Sequence, residues 1–365
     1  MGQPLKIGVI GVGKISEAYF ASFPSLPGLE LVAVADLDEA RAAVVAAEQG
    51  VRSLTVDELL ADPSIDAVLN LTIPAAHVDI DTRALEAGKH VFAEKPLALA
   101  PAEATALLEL SAATGLRVGS APDTVLGTGV QTAREVLDSG RIGEPVGAAA
   151  FWAAPGHEVW HPAPRFYYQP GGGPLFDMGP YYLTSLVSLL GPVVRVSGSV
   201  GRSTRKRTIE TGPSAGAEIE VDVDTHVNAI LTHRSGVTST VTMSFELWAT
   251  RAPMLEVYGS LGTISLPDPN TFDGDVEVYT RDDPSWSVVP VSAGYADAGR
   301  GFGLADMARA IETGRPHRAS GELAFHVLEI MDAVVRAGRS ASTVELSSTV
   351  ERPDIVPLGS TPATW

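Results

Sequence analysis

The chain contains no cysteine among its 365 residues, which excludes disulfides, thiolate catalysis and cysteine-ligated zinc. It is short of positive charge as well. With 26 basic against 44 acidic residues the formal charge is −18, so neither nucleic acid nor an anionic membrane surface suits it as a partner. No uncharged apolar run reaches membrane-spanning length. The amino terminus lacks a charged leader with an apolar stretch and cleavage site, and Met1-Gly2 lacks the downstream Ser or Thr of a myristoylation signal. Internal repeats are missing too, and the only compositional biases are toward alanine and, after Arg352, toward proline. These absences lead us to expect a soluble, cytoplasmic protein with no nucleic-acid and no membrane partner. With 45% hydrophobic residues the chain can bury substantial cores, and its length suggests two domains.

What is present begins with Leu5-Lys6-Ile7-Gly8-Val9-Ile10-Gly11-Val12-Gly13-Lys14-Ile15-Ser16. A short apolar run ends in glycines and opens a pattern in which Ile15, Ala18, Tyr19 and Phe23 recur at helical spacing, so the stretch reads as strand, tight turn and helix. A nucleotide pyrophosphate needs such a turn. Bare backbone N–H groups and the positive end of a helix dipole face it, and only residues without side chains let the phosphates come close. Gly11 would make the turn and Gly13 would give the approach, while Ser16 stands where the strict fingerprint has a third glycine. A glycine turn after any buried strand is the plainer alternative. A second buried strand, Leu29 to Ala35, ends at Asp36, where a carboxylate hydrogen-bonds an adenosine ribose and repels a 2′-phosphate. That argues for NAD over NADP. Asp38 either shares the role or starts the next helix.

Up to about residue 120 helices keep alternating with buried strands such as Ile65 to Leu71, His90 to Phe92 and Leu116 to Val118. Strands separated by helices of ten or more residues imply right-handed crossovers and a doubly wound parallel sheet. After a further helix from about Val130 to Leu137, the runs become long, β-branched and separated by short turns, as in Thr225 to Leu231, Gly236 to Phe245 and Met254 to Leu266. The expected fold is α/β plus α+β: a Rossmann nucleotide-binding domain over 1–122, then a mainly antiparallel open-sheet domain over 123–365. Helices Gly179 to Leu190, Leu304 to Thr313 and Leu323 to Ala337 should cover one sheet face, leaving the face of Thr238, Thr240 and Thr242 for an oligomer interface. The basic run Arg202-Ser203-Thr204-Arg205-Lys206-Arg207 reads as a solvated hairpin loop.

Three stretches could carry chemistry. Thr72-Ile73-Pro74-Ala75-Ala76-His77 follows a strand at the carboxyl edge of the sheet, where ligands bind in open α/β folds. His77 either approaches the cofactor or is a hydrogen-bonded helix-face histidine. Glu94-Lys95-Pro96 also follows a strand; a lysine at the rim of a buried sheet needs a partner or a task, and proton transfer is the reading adopted. Gly171-Gly172-Gly173 leads into a helix carrying Asp177 and Tyr181 on one face, with a helix cap and a core tyrosine as the plainer reading. A fourth stretch, His157-Glu158-Val159-Trp160-His161, matches the zinc metalloprotease string, yet Pro155, Gly156, Pro162 and Pro164 oppose the helix such a site needs. No metal is expected. His157, Trp160, His161, Arg165 and Tyr168 read instead as an aromatic and polar loop over a substrate.

The sequence resembles the glucose-fructose oxidoreductase, inositol dehydrogenase and MocA family of nicotinamide-dependent oxidoreductases. The resemblance covers nearly the whole chain and rests on the glycine turn, Thr72 to His77, Glu94-Lys95-Pro96, the glycine entry to Asp177 and Gly314-Arg315-Pro316. It implies that Lys95 is catalytic and contacts nicotinamide ribose and substrate, and that Asp177 is a substrate-binding carboxylate. Inositol-dehydrogenase-like members carry a histidine four residues after that aspartate; this chain has Tyr181, and Ile73 where many have proline. The residues nominated for the cofactor are Gly11, Gly13, Lys14, Ile15, Asp36, Thr72, Pro74, His77, Glu94 and Lys95. Those nominated for substrate are Lys95, His157, Trp160, His161, Arg165, Asp177 and Tyr181. The implied reaction moves a hydride between a sugar, polyol or glycoside hydroxyl and NAD. Free tyrosine and lysine both titrate near 10, so Tyr181 is expected as base with the Lys95 ammonium stabilising its phenolate, and Asp177 as holder of adjacent hydroxyls. A homodimer or homotetramer is expected. A redox-assisted glycosidase or a non-catalytic nucleotide-binding sugar sensor is the alternative.

Overall fold

The computed structural model describes residues 3–362; Met1-Gly2, considered above as a modification signal, lies outside the described residues. The chain forms two compact units. In the first, β1 (Leu5–Ile10), α1 (Ser16–Ser22), β2 (Leu29–Ala35), α2 (Glu39–Gln49), β3 (Arg52–Ser53), α3 (Val56–Ala61), β4 (Ala67–Asn70), α4 (His77–Glu86), β5 (His90–Ala93), α5 (Pro101–Thr114) and β6 (Val118–Ser120) alternate. The strands form one sheet in the order β3-β2-β1-β4-β5-β6 with every pairing parallel. Ile7, Val9, Val34, Val68, Leu69, Val91 and Phe92 are buried, as strands covered on both faces require. Helix ends follow local chemistry: Thr55 and Glu58 close a capping box on α3, while Gly50 and Gly115 end α2 and α5 in the left-handed region. The order reverses between β1 and β4, and at such a switch point the carboxyl edge opens a crevice.

The second unit begins with α6 (Thr128–Asp138), β7 (Pro145–Ala153) and α7 (Gly173–Leu190). It continues through β8 (Val193–Gly201), β9 (Lys206–Thr208), β10 (Glu218–Glu220), β11 (His226–His233), β12 (Thr238–Ser244), β13 (Leu255–Gly259), β14 (Gly262–Leu266), β15 (Glu277–Thr280) and β16 (Ser287–Val288). After α8 (Phe302–Thr313) and α9 (Gly321–Ser340), β17 (Val344–Glu345) completes a nine-stranded sheet of order β16-β15-β14-β13-β7-β12-β11-β8-β17. Its pairings are antiparallel except β7 with β12. Alternation sends Ala148, Ala150, Ala229, Leu231, Val241 and Met243 to the buried side, where α7 packs on β7, β11 and β12. The opposite face carries Thr238, Thr240 and Ile230. α7 is apolar almost all round, as a helix buried on all sides must be.

Three expectations are corrected. α8 belongs to the first unit, along with the stretch Ala293–Phe325 and the described residues from Pro353 on, so 123–365 is not one domain. The reason is local. The buried Asp123 carboxylate accepts the N–H groups of Gly301 and Gly303 at 2.9 and 3.1 Å, Asp306 on α8 pairs with Arg315 and Arg318, and Gly294 N–H donates to the Val356 carbonyl at 2.8 Å. Second, 202–207 is not a solvated loop throughout: Lys206–Thr208 is a strand paired with β10, and the Arg207 side chain is only 8% exposed, between Glu158 and Glu246 at 2.6 and 2.8 Å. Third, Tyr168 is fully buried, packed with Ile209, Ile219, Val221 and Phe245, and its hydroxyl donates to Glu158, so it is core and faces no substrate. Among the described residues, no helix is long and apolar enough to cross a membrane.

Candidate active site

In the first unit the carboxyl edge of the parallel sheet is built mostly of backbone. Gly11 has φ +92°, and a Cβ there would stand 2.8 Å from the Leu71 carbonyl. Glycine is therefore required by both conformation and space. Two residues on, no described residue beyond the chain neighbours has an atom within 4 Å of where a Gly13 Cβ would stand, so the turn is bare on that side. Ser16 is buried, and its hydroxyl donates to the Gly13 carbonyl at 2.7 Å, closing the turn onto α1. Lys14 and Ile15 are exposed, Lys14 in an ion pair with Glu17 at 2.6 Å. This open cradle before a helix start fits a dinucleotide phosphate.

Asp36 follows β2 and reaches back to the same turn, accepting the Val12 N–H at 2.8 Å. Its other oxygen accepts the Asp38 N–H at 2.9 Å and the Arg41 guanidinium at 2.7 Å. Burial alone would raise the Asp36 pKa, but these donors hold it below the ordinary carboxylate value. Asp38 caps α2 through the Arg41 N–H. Arg41 is a group the sequence reading missed; its signal was an arginine in the first turn of the helix after Asp36.

The Thr72 turn is held from beneath. Its N–H and hydroxyl donate to the Asn70 side-chain oxygen at 3.1 and 2.7 Å, and the Asn70 amide donates to Asp81 at 2.7 Å. Asp81 is completely buried, which pushes its carboxyl up to about 7 against the lowering effect of Asn70. Of the two readings of His77, the structure shows the hydrogen-bonded histidine. Fully buried at the start of α4, it has Nδ1 2.7 Å from the Pro96 carbonyl and Nε2 3.0 Å from the Thr72 carbonyl. Burial lowers its pKa, and the neutral ring donates to one of the two. The ring fills the space between the Thr72 turn and the Glu94-Lys95-Pro96 turn, and no face of it is open to a cofactor. Pro74 opens a short 3-10 turn ahead of α4.

Glu94 is buried as well. One oxygen accepts the Tyr19 hydroxyl at 2.8 Å and the other the Lys95 N–H at 3.0 Å, so α1 and the lysine turn share one carboxylate. Burial, followed by the charges of Glu94 and Asp123, raises the Tyr19 pKa well above its ordinary value, and the hydroxyl stays a donor. Lys95 is half-buried directly after this anchor.

The second unit holds the other candidates. α7 starts at Gly173 with Gly172 as its cap, so Asp177 lies inside the helix and does not cap it. Asp177 and Tyr181 stand one turn apart, with side-chain exposure of 16% for Asp177 and 6% for Tyr181 as a residue. His157 Nε2 lies 2.8 Å from Asp177 Oδ2, and the Trp160 indole N–H donates to His157 Nδ1 at 3.1 Å. The His157 ring sits among Trp160, Tyr167 and Phe245, with centroids 5.2, 4.2 and 4.6 Å away. His161 packs edge-on against Trp160 and Phe166, while Arg165 is exposed on a 3-10 turn, Pro164–Tyr168. The stretch His157–Val159 is itself a single 3-10 turn. Among the described residues, no cluster of three or more His, Asp or Glu is arranged to hold a metal ion.

Residues 5–121 match the model of an oxidoreductase family with an NAD-binding Rossmann fold, and residues 130–265 match the GFO/IDH/MocA C-terminal domain. The dTDP-3,4-didehydro-2,6-dideoxy-alpha-D-glucose 3-reductase of Streptomyces antibioticus is 30% identical over 82% of this chain and 88% of its own. The D-xylose 1-dehydrogenase (NADP(+)) 2 of Haloferax volcanii is 27% identical over 94% of this chain and 100% of its own. Among solved structures, levoglucosan dehydrogenase in its apo form superposes with a TM-score of 0.82 at 22% identity, over 96% of this chain and 100% of that one, a likeness of fold.

Proposed function

This chain belongs to the GFO/IDH/MocA family of oxidoreductases with an NAD-binding Rossmann fold, and from that premise we propose that it interconverts a sugar or polyol hydroxyl and the corresponding carbonyl. The observation that carries the reading is the pairing of a bare Gly13 cradle with the Asp36 carboxylate at the adjoining strand end. When bound, the nicotinamide supplies the hydride acceptor or donor. Gly11, Gly13 and Asp36 would hold the dinucleotide, with the Thr72 and Lys95 turns toward its reactive end. Asp177 would accept hydrogen bonds from neighbouring substrate hydroxyls, Tyr181 would take the proton of the reacting hydroxyl, and the Lys95 ammonium would supply the positive charge that favours this transfer. Trp160, His161 and Arg165 would border the substrate.

We read the cofactor as NAD. Three donors already engage Asp36, yet it remains an anion, and an anion there disfavours a 2′-phosphate. The relatives' names support a carbohydrate substrate. We read the protein as cytoplasmic, and the exposed Thr238 and Thr240 face of the nine-stranded sheet suits self-association into a dimer or tetramer.

The test is a cofactor-reduction screen of NAD and NADP against monosaccharides, inositols, anhydrosugars and glycosides. Reduction of NAD by one sugar group is the expected result. Lys95→Met should then abolish turnover and leave NADH binding within about threefold, a change far below the 100-fold or greater effects of lost acid–base chemistry. Silence with both cofactors despite measurable NAD binding would overturn the dehydrogenase reading, and glycoside cleavage without net NADH would replace it with redox-assisted hydrolysis.

A further inference from the structure

The Trp160, His157 and Asp177 chain has a direction. An indole N–H donates and never accepts, so the His157 Nδ1 atom 3.1 Å away must be the unprotonated nitrogen of its ring. The ring proton then lies on Nε2, 2.8 Å from Asp177 Oδ2, where a carboxylate can only accept. Three further features hold the ring in that orientation. Its side chain is 7% exposed, aromatic rings flank it, and its backbone N–H donates to the buried Tyr168 hydroxyl at 3.0 Å. With Nδ1 engaged by the indole N–H, His157 presents its Nε2–H to Asp177 as a donor.

We propose that His157 is the positioning residue of Asp177: Trp160 locks it in the Nε2–H tautomer, and its Nε2–H orients the carboxylate to accept the vicinal hydroxyls of a polyol. This rests on the substrate role given to Asp177 above. Trp160 is 58% exposed on the same loop, so the residue that fixes the tautomer is also free to meet arriving substrate. Substrate specificity is thereby set two hydrogen bonds away from the carboxylate that binds it.

The first measurement is the long-range 15N–1H NMR spectrum of the histidine rings in the full-length protein, assigned through His157→Gln. The Nε2–H tautomer, with Nδ1 accepting, is expected for His157, and its loss to mixed tautomers in Trp160→Phe. A charged or Nδ1–H ring in the unsubstituted protein, or a tautomer unmoved in Trp160→Phe, would overturn the lock. This arm needs no substrate and therefore stands even if the sugar screen fails. The second arm uses the sugar most active in that screen. Trp160→Phe should raise its KM about tenfold with kcat within about threefold, the pattern of lost binding without lost chemistry. His157→Gln, whose amide can still donate to Asp177, should recover most of the kcat/KM that His157→Ala loses. A His157→Gln protein that is folded by circular dichroism yet as poor in kcat as His157→Ala would make His157 a proton carrier and sink the positioning role.

Discussion

The carboxyl edge of the parallel sheet and the Asp177 cluster are made of different material. At the edge the groups presented are largely backbone, namely the bare Gly13 turn and the Thr72 and Lys95 turns, with the Asp36 and Lys95 side chains beside them. Nearly every polar side chain nearby is buried and occupied in holding backbone, as Asn70 and His77 hold the Thr72 turn and Glu94 the N–H of Lys95. In the Asp177 cluster the groups presented are side chains, and rings and charge pairs hold them. Asp177 leans on His157, His157 on Trp160, and the loop beneath them on the buried Tyr168, Glu158 and Arg207 chain. The difference teaches what each can tolerate. A backbone surface fails at once when a Cβ is added at the wrong place, whereas a side-chain cluster fails by degrees as single hydrogen bonds are removed.

Gly11→Ala should break the first region most severely. The substitution places a Cβ 2.8 Å from the Leu71 carbonyl and forces alanine to φ +92°, a conformation that costs about 1–3 kcal/mol by itself. Thermal melting should fall by several degrees, and NADH titration by fluorescence should show binding weakened by roughly 100-fold, as expected when a ligand cradle moves by an ångström. Binding at the original strength would show that the edge is softer than its geometry indicates. Asp36→Ser is the next largest effect and tests a place in the first region where a side chain decides which cofactor is held. Removing that carboxylate releases the Arg41 guanidinium, which can then meet a 2′-phosphate. NADP affinity should rise about tenfold, the worth of one charge-assisted hydrogen bond, and Arg41→Ala in the same background should erase the gain. An unchanged ratio of NAD to NADP affinity would remove Asp36 as the selector.

Much of the first region was legible because its requirements are local. Strand, Gly11, Gly13 and helix sit within one stretch, Asp36 ends the next strand, and the Lys95 turn follows another, so spacing along the chain stands in for spacing in the fold. Side-chain direction was less legible: spacing left two readings of His77 open, and its ring turns inward onto two carbonyls. In the second unit the reading found Asp177 and Tyr181, four apart on one helix. It could not see that His157, twenty residues earlier, closes on Asp177, because an irregular loop with two 3-10 turns brings them together. Nor could composition show that Arg207, in a run of basic residues, is the buried counterion of Glu158 and Glu246. The assignment of α8 to the first unit was equally hidden, since it depends on two buried aspartates, Asp123 with backbone donors near residue 300 and Asp306 with Arg315 and Arg318.

The smallest effect on ligand binding, and one that probes the buried support directly, is expected from Asp81→Asn. Asp81 has no exposure, Asn70 donates to its Oδ1, and its Oδ2 has no hydrogen-bond partner among the described residues, so burial favours the protonated acid and pushes the carboxyl up to about 7. An unfolded aspartate ionises near 3.9. Below that value both states hold the proton and Asp81 makes stability no more dependent on pH. Between the two values only the unfolded chain releases it, so the original protein loses stability as pH rises, and above 7 the penalty is constant. The substituted amide would keep an acceptor for the Asn70 amide and cannot ionise. Urea melts should therefore coincide near pH 4 and separate progressively toward pH 8, where the variant is the more stable by at most about 4 kcal/mol. Because the Asn70 hold on the Thr72 turn survives, NADH affinity should stay within about twofold. Parallel stability curves across that range would mean that water reaches Asp81 and that the Thr72 turn rests on a softer foundation than the buried chain of Asp81, Asn70 and Thr72 supplies.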